Sequence, residues 1–180
     1  MSGSKLAKKV LIGCCLCLVL IIISFIIYFR GSYPLHYKYL IKKYSNIYGL
    51  PMSVVASIIN VESGFRTECV SIAGAKGLMQ IMDSTGDEIA EKLGETNMNL
   101  FHAETNIKYG CFYLRYLLNY YENNLLFALC AYNAGMSNVN SWIEQNPNFE
   151  VNDIPFLETK NYVNKIKSSK IIYEKFYGFK

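Results

Sequence analysis

At 180 residues the chain is sized for one domain, or for two small ones. With 52% hydrophobic and only 18% charged residues it can bury a core, which excludes a disordered chain. Its formal charge of +4 belongs wholly to residues 1–30, where Lys5, Lys8, Lys9 and Arg30 stand without an acid. The rest is neutral, so the positive balance is no footprint of a nucleic-acid binder.

Val10 to Phe29 is free of charge, and as a helix it would be about 30 Å long, the thickness of a bilayer's hydrocarbon. Three lysines before it and one arginine after it predict a cytoplasmic N-terminus at 1–9 and an extracytoplasmic body. A cleaved signal peptide fits less well, because the run is long and no small-x-small site follows. The lipobox-like Leu11-Ile12-Gly13-Cys14 opens the apolar run instead of closing it and reads as chance. The predicted organisation is thus 1–9 inside, 10–29 as membrane anchor, 30–34 as a short linker and 35–180 as the working domain. Cys14, Cys15 and Cys17 fall in the anchor. Cys69, Cys111 and Cys130 match neither a zinc site nor a disulfide framework. Cys111 and Cys130 read as small buried residues, with one bridged pair left open.

The body has poor strand signals and strong helical periodicity. Tyr37, Leu40, Ile41, Tyr44 and Tyr48 form one stripe, which Gly49 stops. Pro51 suits the first turn of a second helix with Val55, Ile58 and Ile59 on its apolar face, ending at about Gly64. Ser84 to Leu93 is a third helix, closed by Gly94. Ile107, Gly110, Leu114, Leu117 and Tyr121 run at helical spacing. Shorter helices follow over 125–133 and 137–144. A last one spans 157–174, with Tyr162, Ile166 and Tyr173 inward. The expected fold class is all-α. The six lysines from Thr159 onward read as a solvated face, with anionic lipid or wall polymer as the alternative.

Glu62 lies seven residues after Val55, four after Ile58 and three after Ile59, on the apolar stripe. Desolvation there raises a carboxyl's pKa, and the negative end of the helix dipole pushes the same way. A carboxyl kept protonated near neutral pH can act as a general acid. From position alone it reads first as a charge partner that caps a lysine or backbone amides, and only the surrounding sequence changes that.

Glu62-Ser63-Gly64-Phe65, followed by Gly74-Ala75-Lys76-Gly77-Leu78-Met79-Gln80-Ile81-Met82, resembles the signature of the soluble-lytic-transglycosylase-type domain, a lysozyme-like fold. Ala103-Glu104-Thr105-Asn106-Ile107 with Gly110 and Tyr113-Leu114, then Ala131-Tyr132-Asn133-Ala134-Gly135, then Glu158-Thr159-Lys160-Asn161-Tyr162-Val163, resemble the family's later motifs in the family's order. The resemblance implies cleavage of the N-acetylmuramic acid–β-1,4–N-acetylglucosamine bond of peptidoglycan, with a 1,6-anhydro product. Glu62 would serve as the single acid/base, with no metal or organic cofactor. It implies peptidoglycan glycan strands as partner; the apolar run adds the cytoplasmic membrane, held through residues 10–29, and the neutral body gives no sign of nucleic acid.

Residue by residue, the resemblance carries over Ser71 as a contact to the muramoyl N-acetyl group and Gln80 as a polar sugar contact. Met79 and Met82 match the cleft-lining segment, though core packing would suit them equally. Tyr132 matches an aromatic residue near Glu62, Asn133 a sugar or loop contact, and Glu158 a second acid that positions rather than reacts. Ser63 reads as a helix-end hydrogen bonder, Asn106 and Gly110 as structural, and Trp142 as core. Asp83, Gly86, Met136, Lys160 and Arg66-Thr67 depart from the family's usual residues and put loop shape and strand-length preference in question. Two alternatives stay open. One is hydrolysis, with Glu68, Glu104 or Glu158 activating water. The other is a non-catalytic glycan-binding scaffold.

Overall fold

The computed structural model describes residues 2–96 and 98–179. Met1, Asn97 and Lys180 (the last of the tail lysines, and Met1 of the expected 1–9 segment) lie outside the described residues. The chain divides into two units, residues 1–34 and 35–180.

The first unit is one helix, α1 (Ser2–Ser32), whose stretch Leu11–Ser32 is long and apolar enough to cross a membrane. The second is helical throughout apart from its loops. Its helices are α2 (Lys38–Tyr48), α3 (Met52–Ser63), α4 (Asp83–Leu93), α5 (Ala103–Tyr120), α6 (Leu125–Ala134), α7 (Met136–Gln145) and α8 (Leu157–Tyr177), with a 3-10 turn at Val151–Asp153. Among the described residues there is no strand, only isolated bridges joining Val70 to Lys76 and Lys76 to Ile81. The all-α expectation holds, and the helices end where the sequence places its glycines. Gly49, Gly64 and Gly94 close α2, α3 and α4 in the left-handed region, which costs a glycine no Cβ clash.

Two local expectations are corrected. Tyr37 is not on the α2 stripe: it precedes the helix at φ +57°, and Ile41, Tyr44 and Ser45 form the buried face. In α3 the apolar residues do not form one face. Val54 to Ile59 are all buried in succession, because α8 packs along α3 more extensively than any other helix pair, and α2 packs on it as well. A helix apolar on every side belongs inside. Trp142 is buried as expected and stacks on Phe149 at 5.8 Å. Cys111 and Cys130 are buried and free, and Cys69 is half-buried and free.

Two polar clusters pin the frame. Glu104 of α5 accepts from Lys43 Nζ (2.7 Å) and Tyr44 Oη (2.9 Å) of α2. Glu95 accepts from Lys108 and from Tyr109. Of the tail lysines, Lys160 donates to the carbonyl of Asn152 and Lys170 pairs with Glu174, while Lys165, Lys167 and Lys175 stand exposed.

Candidate active site

Glu62 sits on the last turn of α3, where Gly64 (φ +58°) and Phe65 (φ +65°) turn the chain into the long loop that leads to α4. That loop has almost no ladder of its own and is held from outside. Asn106 of α5 is fully buried, accepts from the Met79 N–H (2.6 Å) and donates to the carbonyls of Lys76 and Leu100 (both 2.8 Å). Ser63 Oγ donates to the Leu78 carbonyl (2.8 Å), and Tyr132 Oη donates to the Met79 carbonyl (2.9 Å). Gly77 (φ +78°) threads the crowd: a Cβ there would lie 2.2 Å from the Leu100 carbonyl oxygen. Three helices thereby fix one loop, and the loop forms one wall of a cleft of about 560 Å³.

Seven of the eight expected site residues meet in this cleft. Glu62, Ser71, Gln80 and Met82 come from the end of α3 and its loop, Tyr132 and Asn133 from α6, and Glu158 from the first turn of α8. Met79 does not reach it. Its side chain is fully buried, seated against Gly110, where an added Cβ would stand 2.3 Å from its sulfur. The absent side chain at Gly110 makes the seat, so Met79 fills core and offers the site only its backbone. Met82, 40% exposed, faces outward.

The polar groups are half engaged. Gln80, at φ +50°, donates from Nε2 to the carbonyls of Cys69 and Gly77 and keeps its Oε1 without a partner among the described residues. Asn133 Oδ1 accepts from the buried Thr159 hydroxyl (2.7 Å), which orients its Nδ2 as an unused donor. Ser71 Oγ accepts from the Ala75 N–H (3.0 Å) and retains its own proton to give. A pyranose with an N-acetyl arm needs such a mixed set of donors and acceptors.

Burial raises the Glu62 pKa from 4.5 to about 7. The Tyr162 hydroxyl opposes the shift and the charge of Glu158 adds to it. Tyr162 Oη is buried and reaches no partner at full hydrogen-bond geometry, yet it faces Glu62 closely enough to favour the ionised form. Tyr132 and Tyr162 are themselves held well above the usual phenol range by burial and by Glu62. Both stay neutral beside the carboxyl, with the Tyr132 proton given to the Met79 carbonyl.

Tyr162 was missed as a site residue, because periodicity shows it only as inward-facing. The signal was its place in the family-like segment Glu158-Thr159-Lys160-Asn161-Tyr162-Val163, four residues after Glu158 on α8. Ile72, Ala73 and Ala75 also line the cleft. Ile72 and Ala73 lie in a loop without periodicity and gave no signal, whereas Ala75 falls in the family-like stretch from Gly74 to Met82. Of the acids considered for activating water, Glu104 is tied to Lys43 and Tyr44, Glu68 does not line the cleft, and Glu158 does, exposed. Among the described residues no group of three His, Cys, Asp or Glu is placed to hold a metal.

The chain is similar to known proteins in sequence and in fold. Over 157 residues the chain is 33% identical to the soluble lytic murein transglycosylase of Escherichia coli, covering 82% of this chain and 24% of that one. It is 33% identical over 117 residues to the membrane-bound lytic murein transglycosylase C of Sodalis glossinidius, covering 57% of this chain and 33% of that protein. The crystal structure of the 70 kDa soluble lytic transglycosylase of E. coli superposes with a TM-score of 0.78 at 32% identity, over 83% of this chain and 26% of that one. The chain thus spans about a quarter of the length of the soluble relatives it matches. The family profile of the transglycosylase SLT domain matches residues 39–154, which include Glu62, the loop that Asn106 pins and the Tyr132–Asn133 pair; the chain belongs to that family.

Proposed function

We propose that the chain is a lytic transglycosylase of peptidoglycan, with Glu62 as its single acid/base. The observation that carries this reading is a carboxyl whose ionisation is delayed to about 7, at the wall of a cleft ringed by neutral sugar-type contacts. Glu62 protonates the oxygen that bridges N-acetylmuramic acid and N-acetylglucosamine, and that C–O bond breaks. The resulting carboxylate then takes the proton of the muramoyl C6 hydroxyl as that oxygen closes on C1. Glu62 ends protonated, as it began, and no water is consumed. The tethered hydroxyl outcompetes water through its high effective concentration. Tyr162 and Tyr132 bracket the carboxyl, Ser71 and Asn133 offer donors to the N-acetyl arm, Gln80 offers an acceptor, and Glu158 sets the local field.

We place 1–9 inside the cell, the apolar helix in the cytoplasmic membrane of a bacterium and residues 35–180 on the outer side, where the substrate lies. The charge bias of Lys5, Lys8 and Lys9 against Arg30 supports that orientation.

The presence of Glu158 in the same cleft favours hydrolysis as the second reading, with Glu158 as the base. Digestion of purified sacculi with mass spectrometry of the fragments separates the two. The transglycosylase yields ends lighter by one water than those of a hydrolase. Hydrated ends throughout overturn the proposed reaction, and an absence of fragments overturns both.

A further inference from the structure

The body is neutral in sum but not in distribution. Residues 31–61 and 159–180, which supply α2 and nearly all of α3 and α8, hold nine lysines and one acid, Glu174. Residues 62–158 hold thirteen acids against five basic side chains. Both α2 and α8 pack on α3, and Lys38 Nζ at the start of α2 lies 5.9 Å from the centre of the Phe179 ring, just past the end of α8. The fold thereby joins the two basic helices into one surface.

On that surface Lys38, Lys42, Lys167 and Lys175 are exposed and make no ion pair among the described residues. Lys167, Ile171 and Lys175 follow at intervals of four along one face of α8, as Lys38 and Lys42 do on α2. Beside these cations two large apolar side chains stand in water, Tyr39 at 76% exposure and Ile171 at 61%. Lysines interleaved with an aromatic and an aliphatic side chain suit the border of an anionic bilayer. Headgroup phosphates meet the ammonium groups, and the acyl boundary takes up the apolar ones. A wall polyphosphate would satisfy the lysines alone. Five residues, 33–37, join α1 to α2, which is at most about 18 Å of chain. We infer that the α2–α8 surface docks on the anionic outer leaflet of the membrane that holds α1. The inference rests on the placement of α1 in that membrane. The contact is reversible and weak by itself, and the short link supplies the effective concentration that makes it count. The same leaflet repels the acidic remainder of the body, so attraction and repulsion together set its orientation. Glu158 lies about 25 Å along α8 from Lys175, which leaves the cleft clear of lipid.

The test uses the full chain in nanodiscs of phosphatidylcholine, with or without phosphatidylglycerol, and reads lysine acetylation rates by mass spectrometry. Phosphatidylglycerol should slow acetylation of Lys38, Lys42, Lys167 and Lys175 at least about threefold and leave the exposed Lys92 of α4 unchanged. High salt should remove the effect. Tyr39→Ser combined with Ile171→Ser should abolish most of the protection at an unchanged unfolding temperature. Equal rates in the two discs overturn the surface, and so does a slowing of Lys92 by the same factor, which marks general screening. Protection that survives the double substitution, or that sodium polyphosphate produces equally in phosphatidylcholine discs, overturns it too and hands the lysines to a wall polymer. Anchoring is scored separately, by co-elution of chain and disc. A chain that stays with both discs and shows equal rates refutes the surface alone. A chain that elutes apart from them refutes the membrane placement and the inference with it.

Discussion

In the proposed reaction Glu62 carries both the chemistry and its cost. Its carboxyl ionises near 7 in the fold and near 4.5 in the unfolded chain. Between those values the folded state holds the extra proton, so stability falls as pH rises through that window. Above about 7 the penalty is complete, at about 3 kcal/mol. Glu62→Gln removes it: the variant should match the parent near pH 4 and exceed it by up to about 3 kcal/mol at pH 8, as read from urea midpoints. An equal margin at both pH values would show that Glu62 is not the buried acid. The same substitution should cut sacculus turnover at least about 10²–10⁴-fold, the weight of an acid/base group. The gain in stability with loss of activity is the expected signature of a strained site. Activity of the parent should decline as pH rises through about 7, because the proposed reaction starts from the protonated carboxyl. Tyr162 favours the ionised form, so Tyr162→Phe should move that decline to higher pH. An unmoved limb would reduce Tyr162 to packing.

At the scale of elements, the loop between α3 and α4 is organised by residues that lie far from it in sequence. Asn106→Ala would strand the Met79 N–H and two carbonyls in a dry interior, and should cost about 3 kcal/mol or more, measured by denaturant unfolding. A loss under about 1 kcal/mol would mean that the loop holds itself. This arrangement explains what the sequence shows and hides. Helix ends are legible because Gly49, Gly64 and Gly94 announce left-handed caps, and Glu62 is legible because it is a lone carboxylate in a largely apolar helix. The loop carries no period, so the wall formed by Ile72 and Ala73 could not be read. For Met79 the sequence left cleft and core open, and the choice for core depends on an absent Cβ at Gly110 on another helix. Burial of α3 on every side follows from α2 and α8 packing on it, a tertiary fact that local periodicity does not hold.

At the scale of the whole molecule, residues 35–180 carry their own core and the complete cleft. Deleting residues 1–34 should therefore leave the unfolding temperature of the domain and its digestion of sacculi unchanged in solution, while moving the protein from the membrane to the soluble fraction of cells. Retention in the membrane fraction would assign anchoring to the body, where Lys165, Lys167 and Lys175 are the exposed cations of α8. The most direct measurement of the central claim is a carboxyl-carbon NMR titration of the chain labelled at glutamate, with the Glu62 signal identified by its absence in Glu62→Gln. A midpoint near 7 is the predicted result, and a midpoint near 4.5 would contradict the role of Glu62 as a proton donor at neutral pH.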